Sequence, residues 1–259
     1  MALFTDGPVS DILDLNARDS QLNTVASTEN IDVTQKMTLA QDEIALELTT
    51  LLGRSIYADQ AFWLAPAPGL GSVVVTPALK LWHTLRSLEL VYADAYNNQL
   101  NDRYAGKRNQ FHAMAESAYE KLIQIGIGIA ASPVPQPPIP NVIAAGSPQG
   151  VIPLPDSTYY VTISWVNAQG EEGASAIPAA VTTSSGTLLI QAGSAPRNAA
   201  AWNVYVGTAP DTMSLQNPSP LAPGQTWLQP GILMNGGRAP GSGQAPSYIK
   251  PVPRMLQRG

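Results

Sequence analysis

The stretch "AASPVPQPPIP", Ala130 to Pro140, sets five prolines within eleven residues, and its reading decides how the rest of the chain divides. Each proline fixes its own φ, removes a backbone donor and pushes the preceding residue towards extended geometry. The run predicts neither helix nor central strand but a semi-rigid, polyproline-like linker over residues 131–140. From Pro133 to Pro140 it would span about 25 Å.

Composition changes across this run. Fifteen of the nineteen acidic residues and nine of the fourteen basic ones precede it, whereas only Pro8, Pro66, Pro68 and Pro77 do. Such a shift marks a domain boundary. Over the 259 residues, 13% are charged and 44% apolar. The charged share is about half the usual quarter, which leaves a weak defence against association and suits a protein that works inside an assembly. A net charge of −5 argues against a dedicated nucleic-acid binder. The absence of cysteine excludes disulfides, thiolate metal sites and cysteine nucleophiles. "MALFTDGPVSDILDLNARDS" lacks a basic n-region and a long apolar core. With no apolar run of membrane-span length, the expectation is a soluble chain, made in a cytoplasm, with no membrane partner.

The first half reads helical. Residues 1–33 are expected to be an extended N-terminal segment and 34–130 a helical domain. In "TLAQDEIALELTTLLGR", Thr38 and Gln41 have capping-box spacing, and Ile44, Leu48, Leu51 and Leu52 share a face. Gly53 is a plausible stop. Thr76 and Pro77 read as N-cap and first residue of a long helix, with Leu81, Leu85, Leu88, Tyr92 and Ala95 as its buried stripe. A third helix, about Lys107 to Ile125, would bury Phe111, Met114, Ala118, Leu122 and Ile125 and end at Gly126.

The second half reads as β. In "TYYVTISWV", Tyr159, Val161, Ile163 and Trp165 alternate onto one face, and "AWNVYVGT" places Trp202, Val204 and Val206 opposite Tyr205. With "IPAAV", "TLLIQA" and "QTWLQP" as further strands, residues 141–230 have the size of an immunoglobulin-like or fibronectin type III-like sandwich. Residues 231–259 hold too much glycine and proline to pack alone. They predict an extended C-terminal arm that takes its shape by gripping another molecule. The expected fold class is therefore α+β and multidomain: a helical bundle, an all-β sandwich and an arm.

Chemical motifs are sparse. His83 and His112 lie on predicted helices without an H-E-x-x-H pattern, and no calcium loop appears. "IGIGIA" and "PGLGS" lack the phosphate-loop spacing and read as turn and helix-end glycines. Glu171 and Glu172 sit in a predicted hairpin turn, where adjacent carboxylates normally mark a solvated tip. No catalytic, cofactor or metal site is expected. Asp102, Arg103, Lys107 and Arg108 cluster at a helix corner and are intersubunit interface candidates. In the arm, Tyr248, Lys250, Arg254 and Arg258 are candidates for a partner interface.

Two groups of residues carry a resemblance. "LWHTLRSLELVYADAYNNQLNDRYAGKRNQFHAMAESAYEKLIQIGIGIA" resembles the helical core of the head-to-tail adaptor, or connector, proteins of tailed bacteriophages. "YYVTISWVNAQGEEG", "AWNVYVGT" and "GSGQAPSYI" with the final "LQRG" are similar to the immunoglobulin-like domain and C-terminal arm of some phage neck proteins. The resemblance implies a virion protein of the neck, assembled in the host cytoplasm: a cyclic homo-oligomer, commonly of twelve copies. It would dock beneath the portal protein, join a downstream neck or tail protein, and continue a channel through which packaged DNA passes without specific contact. The arm would reach the portal. The alternative is a tail or baseplate component whose β domain binds carbohydrate or a host surface, with Trp165, Trp202 and Trp227 as stacking candidates. A cell-wall hydrolase would need a paired acid site that the sequence does not offer.

Overall fold

A computed structural model describes residues 1–56, 68–99 and 102–251. The chain is mixed α+β, helical first and β afterwards, and divides into two compact units. Gly7–Ala130 and the chain from Pro246 onward form the helical unit; Met1–Asp6 and Ala131–Ala245 form the β unit.

The helical unit begins earlier than the apolar periodicity implied. The N-terminal segment expected to be extended holds α1 (Ile12–Arg18) and α2 (Leu22–Glu29). Asp11 and Asp14 form a reciprocal capping box, at 2.8 and 2.9 Å, which satisfies two otherwise unpaired donors at the start of α1. Asn30 closes α2 in the left-handed region (φ 54°), which asparagine tolerates. α3 runs from Val33 to Ile56. Its start is capped by Asp32, whose Oδ1 accepts from the Gln35 amide at 3.1 Å. Thr38 is therefore not the cap; its hydroxyl bonds back to the Thr34 carbonyl, and Gln41 reaches Val9 and Gly7 instead. The helix also passes through Gly53.

Thr76 does cap α4 (Pro77–Gln99), and α5 spans Ala105–Ile125. The two lie antiparallel, as the pairs Trp82–Tyr119 and Tyr92–Phe111 show, with ring centroids 5.0 and 5.4 Å apart. On α5 the buried face is Phe111, Ala115, Ala118 and Leu122; Ile125, expected inside, is 50% exposed. His83 of α4 is fully buried, with Nδ1 2.6 Å from the Ser10 hydroxyl and Nε2 3.0 Å from the Met37 carbonyl. A carbonyl only accepts, so Nε2 carries the proton and Nδ1 accepts from Ser10. After α5, β1 (Ile127–Ile129) pairs antiparallel with β9 (Ser247–Ile249), and Val74 donates to the Gly128 carbonyl from its other side.

The β unit holds two antiparallel sheets. One has the order β4 (Ala179–Thr183), β3 (Ser157–Asn167), β6 (Ala199–Gly207), β7 (Ser214–Leu215). The other has β2 (Asn141–Gly146), β5 (Gly186–Gln191), β8 (Trp227–Leu228). One core is shared: Tyr159, Val161, Ile163 and Trp165 of β3 and Trp202, Val204 and Val206 of β6 meet Leu188, Ile190 and Trp227. Each aliphatic side chain buried there contributes about 2 kcal/mol. The opposite face of β3 and β6 is also buried but polar. Ser164 and Tyr205 both donate to the Glu172 carboxylate, which pairs with Arg238 at 2.5 Å. Glu172 is thus not a solvated tip. Burial and the bond to this carboxylate push the Tyr205 hydroxyl up to about 12.

Two expectations about loops are corrected. The proline run is not a spacer but part of the β unit: Val134 sits fully buried in the core, and Pro137 and Pro140 are buried. Prolines at alternate positions remove donors, and the two between them are used. Val134 donates to Gln244 at 2.8 Å and Gln136 to Asp6 at 2.9 Å. Nor does the arm to Ile249 wait for a partner. Leu215 donates to the Arg238 carbonyl and Ser175 to that of Gly241. Gln244, 2% exposed, also donates to the Ser132 carbonyl and to Glu171, both at 2.9 Å.

Gln244→Ala leaves the Val134 amide unpaired in the core, so the β unit should lose about 2 kcal/mol, read as a lower urea midpoint at unchanged slope. Burial lowers the His83 pKa below its ordinary 6.5, against the pull of the Met37 carbonyl and Asp14. The unfolded chain takes up this proton at a higher pH than the folded one. The contribution of His83 is therefore complete above about pH 6.5 and is lost progressively as pH falls below it. Urea melts of the helical unit should weaken as pH falls through about 6.5 and below, and His83→Gln should flatten that dependence.

Candidate functional site

The corner between α4 and α5 carries the predicted Asp102, Arg103, Lys107 and Arg108. The structure sorts them by partner. Asp102 and Arg103 are exposed, with the Arg103 guanidinium 5.2 Å from the centre of the Tyr104 ring. Arg108 lies 4.4 Å over the ring of Tyr96. Lys107 turns inward, 3.5 Å from Asp19 and 5.4 and 5.9 Å from the ring centres of Phe111 and Tyr92. A cation over two aromatic faces and beside a buried carboxylate is held by both attractions.

Asp19, 5% exposed, is the hub of this corner. It accepts from the Tyr92 hydroxyl and from the Gln21 amide, the latter at 3.2 Å. Burial and the Asp19 charge raise the Tyr92 pKa well above the usual phenol. Nearby, Tyr104 donates to Glu29 at 2.8 Å, and that bond, then burial, raises its pKa too. Asp19, Glu29 and the tyrosines were not legible as a group, because Asp19 lies 73 residues from Tyr92 and 88 from Lys107. No local motif joins them.

Between α3, α4 and α5 lies a cleft of about 340 Å³ walled by Trp82 and Tyr119 and edged by Glu43, Glu47, Arg86 and Glu116. Its charges are largely spent inside the unit. Arg86 bridges Glu43 and Glu89, each at 2.7 Å, and Tyr119 donates to Glu47 at 2.9 Å. His112 contacts the same Glu89 at 2.9 Å from an exposed position. Among the described residues no group of three histidine or acidic side chains could hold a metal, and no helix is long and apolar enough to cross a membrane.

Of the arm candidates, Tyr248 lies in β9 opposite Gly128 with 49% of its surface exposed, and Lys250 is exposed just beyond it. Arg254 and Arg258 lie outside the described residues. The three tryptophans considered for sugar stacking are in the β core, Trp165 and Trp202 at 1% exposure or less and Trp227 at 6%. Large apolar side chains are exposed elsewhere: Ile12 and Leu13 on α1, Leu39 and Leu46 on α3 and Ile125 on α5 in the helical unit, with Ile232 and Ile177 the most open in the β unit and Ile143 and Leu228 also exposed.

Ile143, Leu189 and Leu228 are cross-strand partners, so they form one row on the outer face of the three-stranded sheet. No known protein family matches the chain, and no curated protein does.

The corner's division has a measurable consequence. Lys107→Ala strips the cation from a buried carboxylate and should cost the helical unit about 1–3 kcal/mol in urea unfolding. Asp102→Ala, at an exposed position, should stay within about 0.5 kcal/mol.

Proposed function

We propose that this chain is a non-enzymatic structural subunit of a phage neck, a ring-forming adaptor whose helical unit closes a cyclic homo-oligomer of about twelve copies. In this reading the ring seats beneath the portal protein, passes the channel on to a downstream neck or tail protein, and lets packaged DNA slide through a lumen without specific contact. The acidic bias of the helical half suits such a lumen. The β unit is read as a fibronectin type III-like sandwich. The order β4-β3-β6-β7 facing the β2-β5 pair around one core supports this reading, with β8 as a later strand added beside β5.

The observation that carries the proposal is the outer face of α3. An exposed helix face normally carries charge. Here Leu39 and Leu46, 43% and 73% exposed, stand one heptad apart on α3, with the exposed Asp42 and Glu43 beside them. Thr38, Thr49 and Thr50, on the same helix, spend their hydroxyls on its own carbonyls at 3.1, 2.8 and 3.0 Å. Such a surface gains by being covered. A head-to-tail ring needs two different patches on each subunit, and Ile12 and Leu13 of α1, 42% and 75% exposed, supply a second.

Light scattering and negative-stain micrographs of the concentrated protein should show closed rings. Leu39→Glu with Leu46→Glu should abolish them while leaving the melting temperature within about 2 °C, since neither side chain is in the core. Rings that persist in the double variant, or a chain that stays monomeric at every concentration with and without a portal ring, would overturn the reading.

A further inference from the structure

The "IGIGI" segment, which the sequence presents as helix-end glycines, is a fitted seat for a strand. Gly126 has φ +107°, and a side chain there would begin 3.0 Å from the Ile249 carbonyl oxygen. At Gly128 a Cβ would lie 2.6 Å from the Thr76 methyl and 2.9 Å from the Pro246 ring. Both positions therefore require glycine for β9 to lie down. The other wall of the seat is rigid, because Val74 donates to the Gly128 carbonyl at 2.9 Å and Ala130 to that of Ser72 at 2.8 Å. The seat's own residues are buried, Ile127 at 1% and Ile129 at 6%.

Its occupant is held far less firmly. β9 has three residues and pairs only with β1, in the register Ile127–Ile249, Gly128–Tyr248, Ile129–Ser247. Ser247 and Tyr248 are exposed. The strand also arrives from the other unit: the chain leaves the β unit at Ala245 and enters the helical unit at Pro246. Pro240 and Pro246 flank this connection, and Gly243 within it sits at φ +103°.

We propose that the Gly126–Ile129 seat is an intersubunit socket: in the assembled oligomer it receives Pro246–Lys250 of a second copy, and each copy passes its own strand to the next. Every contact of the pairing survives the exchange, because seat and strand are chemically identical in cis and in trans. What the exchange gives up is the effective concentration of an intramolecular strand, and a ring restores that by holding the neighbour's strand at millimolar effective concentration. The inference rests on the ring reading above and adds the element that locks it.

The chain has no cysteine, so thiol reporters have no background. Ile129→Cys in one preparation and Ser247→Cys in another are mixed, unfolded, refolded and concentrated. Oligomers are separated by size and treated with a short bifunctional thiol crosslinker. The expected result is a covalent dimer of the two variants in the oligomer fraction, and crosslinking within one chain when the doubly substituted protein is held dilute. Should Ile129→Cys fail to fold by circular dichroism, Ile127→Cys with Ile249→Cys, the other register pair, repeats the test.

Oligomers whose only crosslink is within a chain overturn the exchange and leave the ring standing. A protein that forms no oligomer and no dimer between variants overturns both.

Discussion

The carboxamide of Gln244, sealed from solvent, accepts the Val134 amide and donates to the Ser132 carbonyl and the Glu171 carboxylate. The Val134 amide is thereby satisfied where water cannot reach it, and a buried donor left alone there would cost about 1–3 kcal/mol. The bond set ties a residue near the end of the chain to the proline run and to the turn after β3. Arg238 does the same for Glu172 and Tyr205. The β unit is therefore closed only when the chain beyond β8 is in place.

The helical unit obeys the same constraint from the opposite side. Its last sheet consists of β1 and a strand that arrives more than a hundred residues later. Its interior is fixed by polar ties as much as by apolar faces: Asp19 with Tyr92 and Lys107, Glu29 with Tyr104, His83 with Ser10 and Met37. Each tie links a helix to chain many residues away, and each makes one arrangement of otherwise similar helices the stable one. Outside this interior, Ile12 and Leu13 of α1, Leu39 and Leu46 of α3 and Ile125 of α5 are apolar side chains left exposed. That is the physical basis for reading the unit as part of an oligomer.

β3 and β6 were legible because their large apolar residues recur with a period of two, although both faces of each strand are buried. Tyr159, Val161, Ile163 and Trp165 alternate in the sequence and meet in the core, and Thr76–Pro77 marked the start of α4 by local chemistry alone. The capping box of α1 was equally local, although its aspartates sit among too few apolar residues for periodicity to reveal a helix. Thr38 and Gly53 misled for the converse reason. Both are permitted at a helix end and also occur within a helix, and α3 runs through both, from Val33 to Ile56.

Sequence alone located the three long helices α3 to α5 and the strands β3 to β6 and β8, and determined that helical and β chain part near the proline run. Those properties depend on residues within a few positions of one another. Only the tertiary structure decided that the prolines pack rather than separate, that Glu172 is interior, and that the glycine-rich end of the chain is claimed by both units. Each of these turns on a partner tens to more than a hundred residues distant. Extended proline- and glycine-rich chain has the same local geometry whether water or a neighbouring strand lies beside it, so its fate is set by whatever unpaired amide or glycine-floored seat the rest of the fold presents.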